Sequence, residues 1–246
     1  LLAGCLIAVR IGGIARFESV QQDLAARGLP VRPSDLLRNA PAVDKDRQAR
    51  FAAAMATLTP LADRLGHVPH IRLRESRPLP AETAARDRSL AAAAAAIADI
   101  RAVLATGPAY ISIYGWMERD AARLDAMGVI ERWKGYDTNL LQARALMSIL
   151  GTRACLAAEA TDDLAIMRRV AETIDHPGTL IDAMVTIALH AIRDQTHLYL
   201  ATRGRLSRRD LDSWVAEERD FTRHIADAFA FERCYSWGTI VHEDAR

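Results

Sequence analysis

Residues 176–204 read HPGTLIDAMVTIALHAIRDQTHLYLATRG. Proline and glycine open the stretch, Arg203-Gly204 closes it, and strand-like alternation is absent in between. From Leu180 to Ile192 the residues are apolar on nearly every side of a 3.6-residue period. A helix that is hydrophobic all round is a buried one, so the expectation is a long helix at the centre of a helical core.

The same period runs outward from this stretch in both directions. A first helix is expected over 11–26, closed by Arg27-Gly28 and the turn LPVRP, because glycine supplies a left-handed cap and proline cannot continue a helix. After a loop through Asn39-Ala40-Pro41, VDKDRQARFAAAMATLTPLADRLG places Phe51, Met55, Leu58, Leu61 and Leu65 at three-to-four spacing, with Pro60 expected to kink or split it. HVPHIRLRESRPLP reads as irregular. AETAARDRSLAAAAAAIADIRAVLA reads as a strong helix, since alanine loses least on helix formation. GPAYISIYGWMERDAARLDAMGVIERWKGYD is ambiguous, with short helices expected around Trp116 to Met127. TNLLQARALMSILGTRACLAAEA puts Leu141, Ala145, Ile149, Thr152 and Leu156 on one stripe. Thr161 reads as the N-cap of DDLAIMRRVAETI, and Ser207 opens a last helix with Asp210 three residues on, an acidic variant of the capping box.

The fold class is therefore all-α: antiparallel helical hairpins packed as an irregular bundle or a repeat-like array. Tetratricopeptide signature residues do not recur at a fixed period. Residues 1–10 read as a residual membrane-anchor or signal segment, and 11–246 as a single helical domain with a weak subdivision near 107–137.

Composition excludes several classes. The 246 residues are 50% hydrophobic and 26% charged, the profile of a globular chain, and the formal charge is +1. No global field points at nucleic acid, and RGRLSRRD, a short basic patch without interleaved aromatics, reads as a solvated turn between helices. Lys45 and Lys134 are the only lysines; the arginine and alanine bias fits a GC-rich genome better than phosphate binding. No stretch reaches the roughly 18–20 apolar residues of a membrane span. GxSxG, GxGxxG and GxxxxGK[ST] are absent. Cys5, Cys155 and Cys234 show no zinc-type spacing; Cys155 reads as a small core residue, and in an exported chain Cys155 and Cys234 could pair.

Two constellations could carry chemistry. In HAIRDQTH, His190, Asp194 and His197 fall at i, i+4 and i+7 on one helical face. Two imidazoles and a carboxylate so arranged could hold a divalent metal with a position left open for water, and Asp182, two turns earlier, could support them from behind. The competing reading makes them the polar outer edge of an amphipathic helix. In ERWKGYD, Glu131, Lys134, Tyr136 and Asp137 gather near Trp133; two carboxylates beside an aromatic platform suggest a sugar-processing pair. Trp116, Trp133 and Tyr136 together form the candidate ligand surface.

The opening LLAGC matches a lipobox at Leu2-Ala3-Gly4-Cys5, but LIAV after the cysteine stays apolar where a lipoprotein turns polar, so the tail of a membrane helix or signal anchor ending at Arg10 is favoured. This apolar leader followed by LAARGLPVRPSDL, the loop ending NAP before an Ala-rich helix, and HPGTLIDAMVTIALHAI together resemble a group of membrane-anchored helical proteins of planctomycete-type bacteria. The resemblance implies an all-α extracytoplasmic domain, departs at Asn39-Ala40-Pro41 where two alanines would follow the asparagine, and carries over no catalytic residue. The functional expectation is an interaction or scaffold domain, anchored to a bacterial membrane and working with a protein partner. A metal-dependent hydrolase built on His190, Asp194 and His197, or a small-molecule binding module, are the alternatives.

Overall fold

A computed structural model describes residues 16, 18–64, 80–133, 140–157, 160–174, 178–217 and 221–237 of the chain. Among them there is no strand, and the fold is all-α. The helices are α1 (Lys45–Arg64), α2 (Pro80–Ala105), α3 (Ala121–Ala126), α4 (Val129–Trp133), α5 (Leu140–Leu156), α6 (Thr161–Glu172), α7 (Leu180–Thr202), α8 (Arg208–Val215) and α9 (Phe221–Glu232). A 3₁₀ turn over Pro33–Asn39 and a π-helical turn over Arg233–Trp237 flank them.

Residues 18–26 are helical and end as glycine dictates. Gly28 takes φ +71°, and Leu29 N donates back to Leu24 O at 2.9 Å, so the last carbonyls are satisfied by a left-handed cap. Helix α1 runs through Pro60 without a break, so the expected split does not occur. The Ala-rich α2 packs on α1, α1 on α5, and α5 on α6 and α7. Side chains from these five helices make the main core, among them Phe51, Met55, Ile97, Ile100, Leu146, Met147, Met167 and Leu189.

Three sequence expectations need correction here. The last helix expected from Ser207 is two, α8 ending at Val215 and α9 beginning at Phe221. Thr161 is the first helical residue rather than the N-cap, which is Ala160 with no side-chain bond. The useful residue of that turn is Asp163, buried and held by Arg153 Nε at 2.9 and 3.0 Å to its two oxygens. On α5 the buried set is broader than the expected stripe: Ala143, Leu146, Met147 and Leu150 are inside along with Ile149 and Thr152, whereas Leu156 faces out. HVPHIRLRESRPLP lies almost entirely outside the described residues.

The segment 107–133 forms a 3₁₀ turn and two short helices, as its mixed pattern suggested. It supplies Tyr114, Met117 and Leu124 to a second apolar cluster with Leu36, Phe231, Cys234 and Tyr235. The π turn after α9 brings Tyr235 onto Phe231, ring centroids 4.7 Å apart, and its hydroxyl donates to Arg132 O at 2.8 Å.

Burial pushes the phenols of Tyr114 and Tyr235 up to about 12, with nearby Asp227 and Asp182 adding to the effect at Tyr114. The folded state keeps these protons while an unfolded chain releases them near the ordinary value of 10. The phenols' contribution to stability is thus fully present below pH 10 and falls as the pH climbs toward 12, by roughly 2 kcal/mol for each ring. Cys155, raised by burial from 9 to about 11, adds a loss of the same sign that begins near pH 9. Urea denaturation followed between pH 8 and 12 is expected to show this loss, and Tyr114→Phe to reduce it. A flat profile would contradict the burial of both phenols.

Candidate functional site

Helix α7 has neighbours on three sides, α5, α6 and α9. Its contact face is unusual in composition: Asp182, Thr186, His190, Arg193, Thr196 and His197 are buried alongside only three apolar side chains, Ala183, Leu189 and Leu200. His190 and His197 are 5% and 9% exposed and Arg193 is 1% exposed. The reading of these residues as an outer polar edge is therefore reversed.

Each buried polar group meets a specific neighbour. Asp182 completes a capping box: it accepts from Gly178 N and Thr179 N at 3.1 and 3.0 Å, and its own N–H donates to Thr179 Oγ1 at 2.9 Å. Its role is thus at the helix start, not behind a metal ligand. Thr186 Oγ1 lies 3.0 Å from Ile174 O and 2.9 Å from Asp182 O. Arg193 pairs with Glu217. His197 Nδ1 lies 2.9 Å from Arg193 O; a carbonyl only accepts, so this nitrogen carries the proton. The ring of His197 stacks on Trp214 at 5.2 Å, and Trp214 Nε1 donates to Asp194 Oδ1 at 2.9 Å. His190 meets the edge of Phe221 at 5.5 Å.

The structure thus engages His190 with Phe221, and Asp194 and His197 with Trp214. Among the described residues, no three His, Cys, Asp or Glu side chains gather closely enough to hold a metal ion. Of the candidate ligand surface, two members lie among the described residues. Trp116 is exposed under Lys45 Nζ at 5.8 Å, Trp133 packs edge-on to Tyr235 at 5.2 Å, and Tyr136 lies outside the described residues, as do Lys134 and Asp137 of ERWKGYD. Glu131 is exposed. Cys155 and Cys234 are both buried free thiols, not a disulfide. Burial raises Cys155 to about 11 and also raises Cys234, so neither is a thiolate nucleophile at neutral pH.

Sequence reasoning missed a cleft of about 680 Å³ between α6 and α8, floored by Arg193 and His197 of α7. Its charges are largely tied off: Arg168 to Glu172 at 3.1 Å, Arg193 to Glu217, Arg169 to Leu104 O, and Asp210 to the Ser207 cap. It offers a ligand no concentrated charge.

The inward turn of the polar residues leaves the apolar ones outside. Ile181, Met184 and Leu198 are 60%, 62% and 47% exposed. With half-buried Ala188 and exposed Ala191 and Gln195 they form one stripe, spaced 3-4-3-4-3 along α7. The charged residues of the helix, Asp182, Arg193 and Asp194, are all engaged elsewhere, so the stripe carries none. Sequence reasoning missed this because a pattern apolar on every side hides which side faces out; the heptad spacing was the available signal.

Compared with protein-family models, curated proteins and solved structures, the chain matches none of them.

Breaking the Arg193–Glu217 pair from one side strands a buried guanidinium, a costly change; discounted for the partial exposure of Glu217, Glu217→Gln is expected to lose about 2 kcal/mol in urea denaturation. Adding Arg193→Met is expected to restore most of that loss. An unchanged midpoint in Glu217→Gln would show that the pair does not anchor the α8 region to α7.

Proposed function

We propose that the chain is a non-enzymatic helical interaction domain, and that the outward stripe of α7 is its contact surface. The observation that carries this reading is the inverted helix, with large apolar side chains in solvent and titratable ones inside. Contiguous exposed apolar surface on a folded domain marks an interaction site far more often than chance exposure does. The engagement of His190, Asp194 and His197 by aromatic neighbours, and the buried thiols, support a binding role over a chemical one.

The proposal includes a setting: the outer face of a bacterial membrane, with the apolar residues 1–9 as the attachment. Its support is the sequence LLAGCLIAV and the resemblance to membrane-anchored helical proteins. No helix among the described residues is long and apolar enough to cross a membrane.

Site-specific photocrosslinking in cells tests the reading. A photoreactive residue at position 184 or 198 is expected to give discrete adducts, and one at exposed Arg209 on α8 to give none. Absence of adducts from both stripe positions would overturn the proposal. Met184→Glu is expected to shift stability by no more than about 0.5 kcal/mol, because the side chain has little to lose by becoming polar.

A further inference from the structure

We infer that the occupant of the α7 stripe is a second copy of this chain, lying antiparallel across a two-fold axis. This rests on the interaction-domain reading above and names the partner.

The first support is the pattern itself. Between Leu189 and His190 lies a point about which the stripe is self-complementary. An antiparallel copy centred there sets Ile181 opposite Leu198, Met184 opposite Gln195 and Ala188 opposite Ala191. Large side chains meet at the ends, and the two alanines at the centre let the backbones approach. A two-fold contact requires such a match of one patch with itself. The 3-4-3-4-3 spacing keeps the seam on one side over about 25 Å of helix, long enough for a partner helix to follow it.

The second support is charge. The stripe is uncharged; beside it Leu180 and Ile187 are half-buried, Asp194 in line with them is held by Trp214, and Val185, Ile192 and Tyr199 pack on the main core. A second copy therefore brings no like charge against it, and at a net charge of +1 two whole chains scarcely repel. The antiparallel sense also opposes the two helix dipoles.

The third is continuity of the surface. Leu180 N donates to Glu232 Oε1 at 2.7 Å and His190 meets Phe221, so α9 runs antiparallel beside α7 and brings Phe229 to the level of residues 182–184. Phe229 is likewise exposed at that level. One helix and a neighbouring ring still make a small interface, below the roughly 1,200 Å² of a stable complex, so the dimer is a weak, concentration-dependent one.

Sedimentation equilibrium of the whole chain, dispersed in mild detergent, is the test. The mass is expected to rise from 27.1 kDa toward twice that value between micromolar and millimolar concentrations. Met184→Glu and, independently, Leu198→Glu are expected to weaken association at least about tenfold with unchanged helicity. The two variants guard against one misfolding, and both keep residues 1–9. In a Cys5→Ser background, a short bismaleimide is expected to join Ile181→Cys to Leu198→Cys chains when mixed, and to leave Ile181→Cys alone unjoined. A monomer at every concentration, association that both glutamates leave intact, or crosslinking of Ile181→Cys to itself would overturn the inference. Cellular adducts of position 184 with a different protein would also overturn it while leaving the interaction-domain reading standing; no adducts at all would end both.

Discussion

A helix that turns an aspartate, two threonines, two histidines and an arginine toward its neighbours must satisfy all of them away from water, and that requirement organises this half of the molecule. Helix α8 illustrates it. None of its side chains is fully buried, so the ordinary apolar driving force does little to hold it. Its region is tied to α7 by Trp214, which donates to Asp194 and stacks on His197, and by Glu217, which pairs with Arg193. The start of α7 is fixed in the same way, by Asp182 and Thr179 closing on each other's backbone. Direction matters here: polar contacts place their partners more narrowly than apolar burial does.

The main core draws on that face only in part. Helices α1, α2, α5 and α6 pack through ordinary aliphatic side chains, and α7 adds Leu189 and Leu200. With the core supplied from elsewhere, α7 is free to present Ile181, Met184 and Leu198 to solvent. Such exposure is a liability in a domain that contacts nothing, and a useful surface in one that contacts a partner. The second cluster, around Tyr114, Phe231 and Tyr235, ties the segment after α2 to the end of α9 and so to the flank of α7.

What the sequence made legible was periodicity. The all-α class, the left-handed stop at Gly28, the capping box at Ser207 and Asp210, and a short helix between Trp116 and Met127 all follow from local preferences that tertiary contacts did not override. Facing was not legible. From Leu180 to Ile192 apolar residues occur on every side, so periodicity alone could not choose the outward one, and the polar residues after Ile192 suggested a solvent edge where the structure has an interior. His190, Asp194 and His197 share a helical face at metal-ligand spacing, yet Phe221 of α9 engages the first and Trp214 of α8 the other two. Local spacing carries no information about such partners. Pro60 is the opposite case, a strong local signal that nonetheless leaves α1 unsplit from Lys45 to Arg64.

The inverted facing of α7 is the claim on which the functional reading turns, and methionine reports it directly. Hydroxyl-radical footprinting of dilute protein, read by mass spectrometry, compares Met184 with Met147 and Met167, which sit in the main core. Met184 is expected to oxidise fastest of the three, with His197 protected beneath Trp214. Protection of Met184 together with rapid modification of His190 and His197 would mean that the helix faces the other way, and the contact surface proposed for it would not exist.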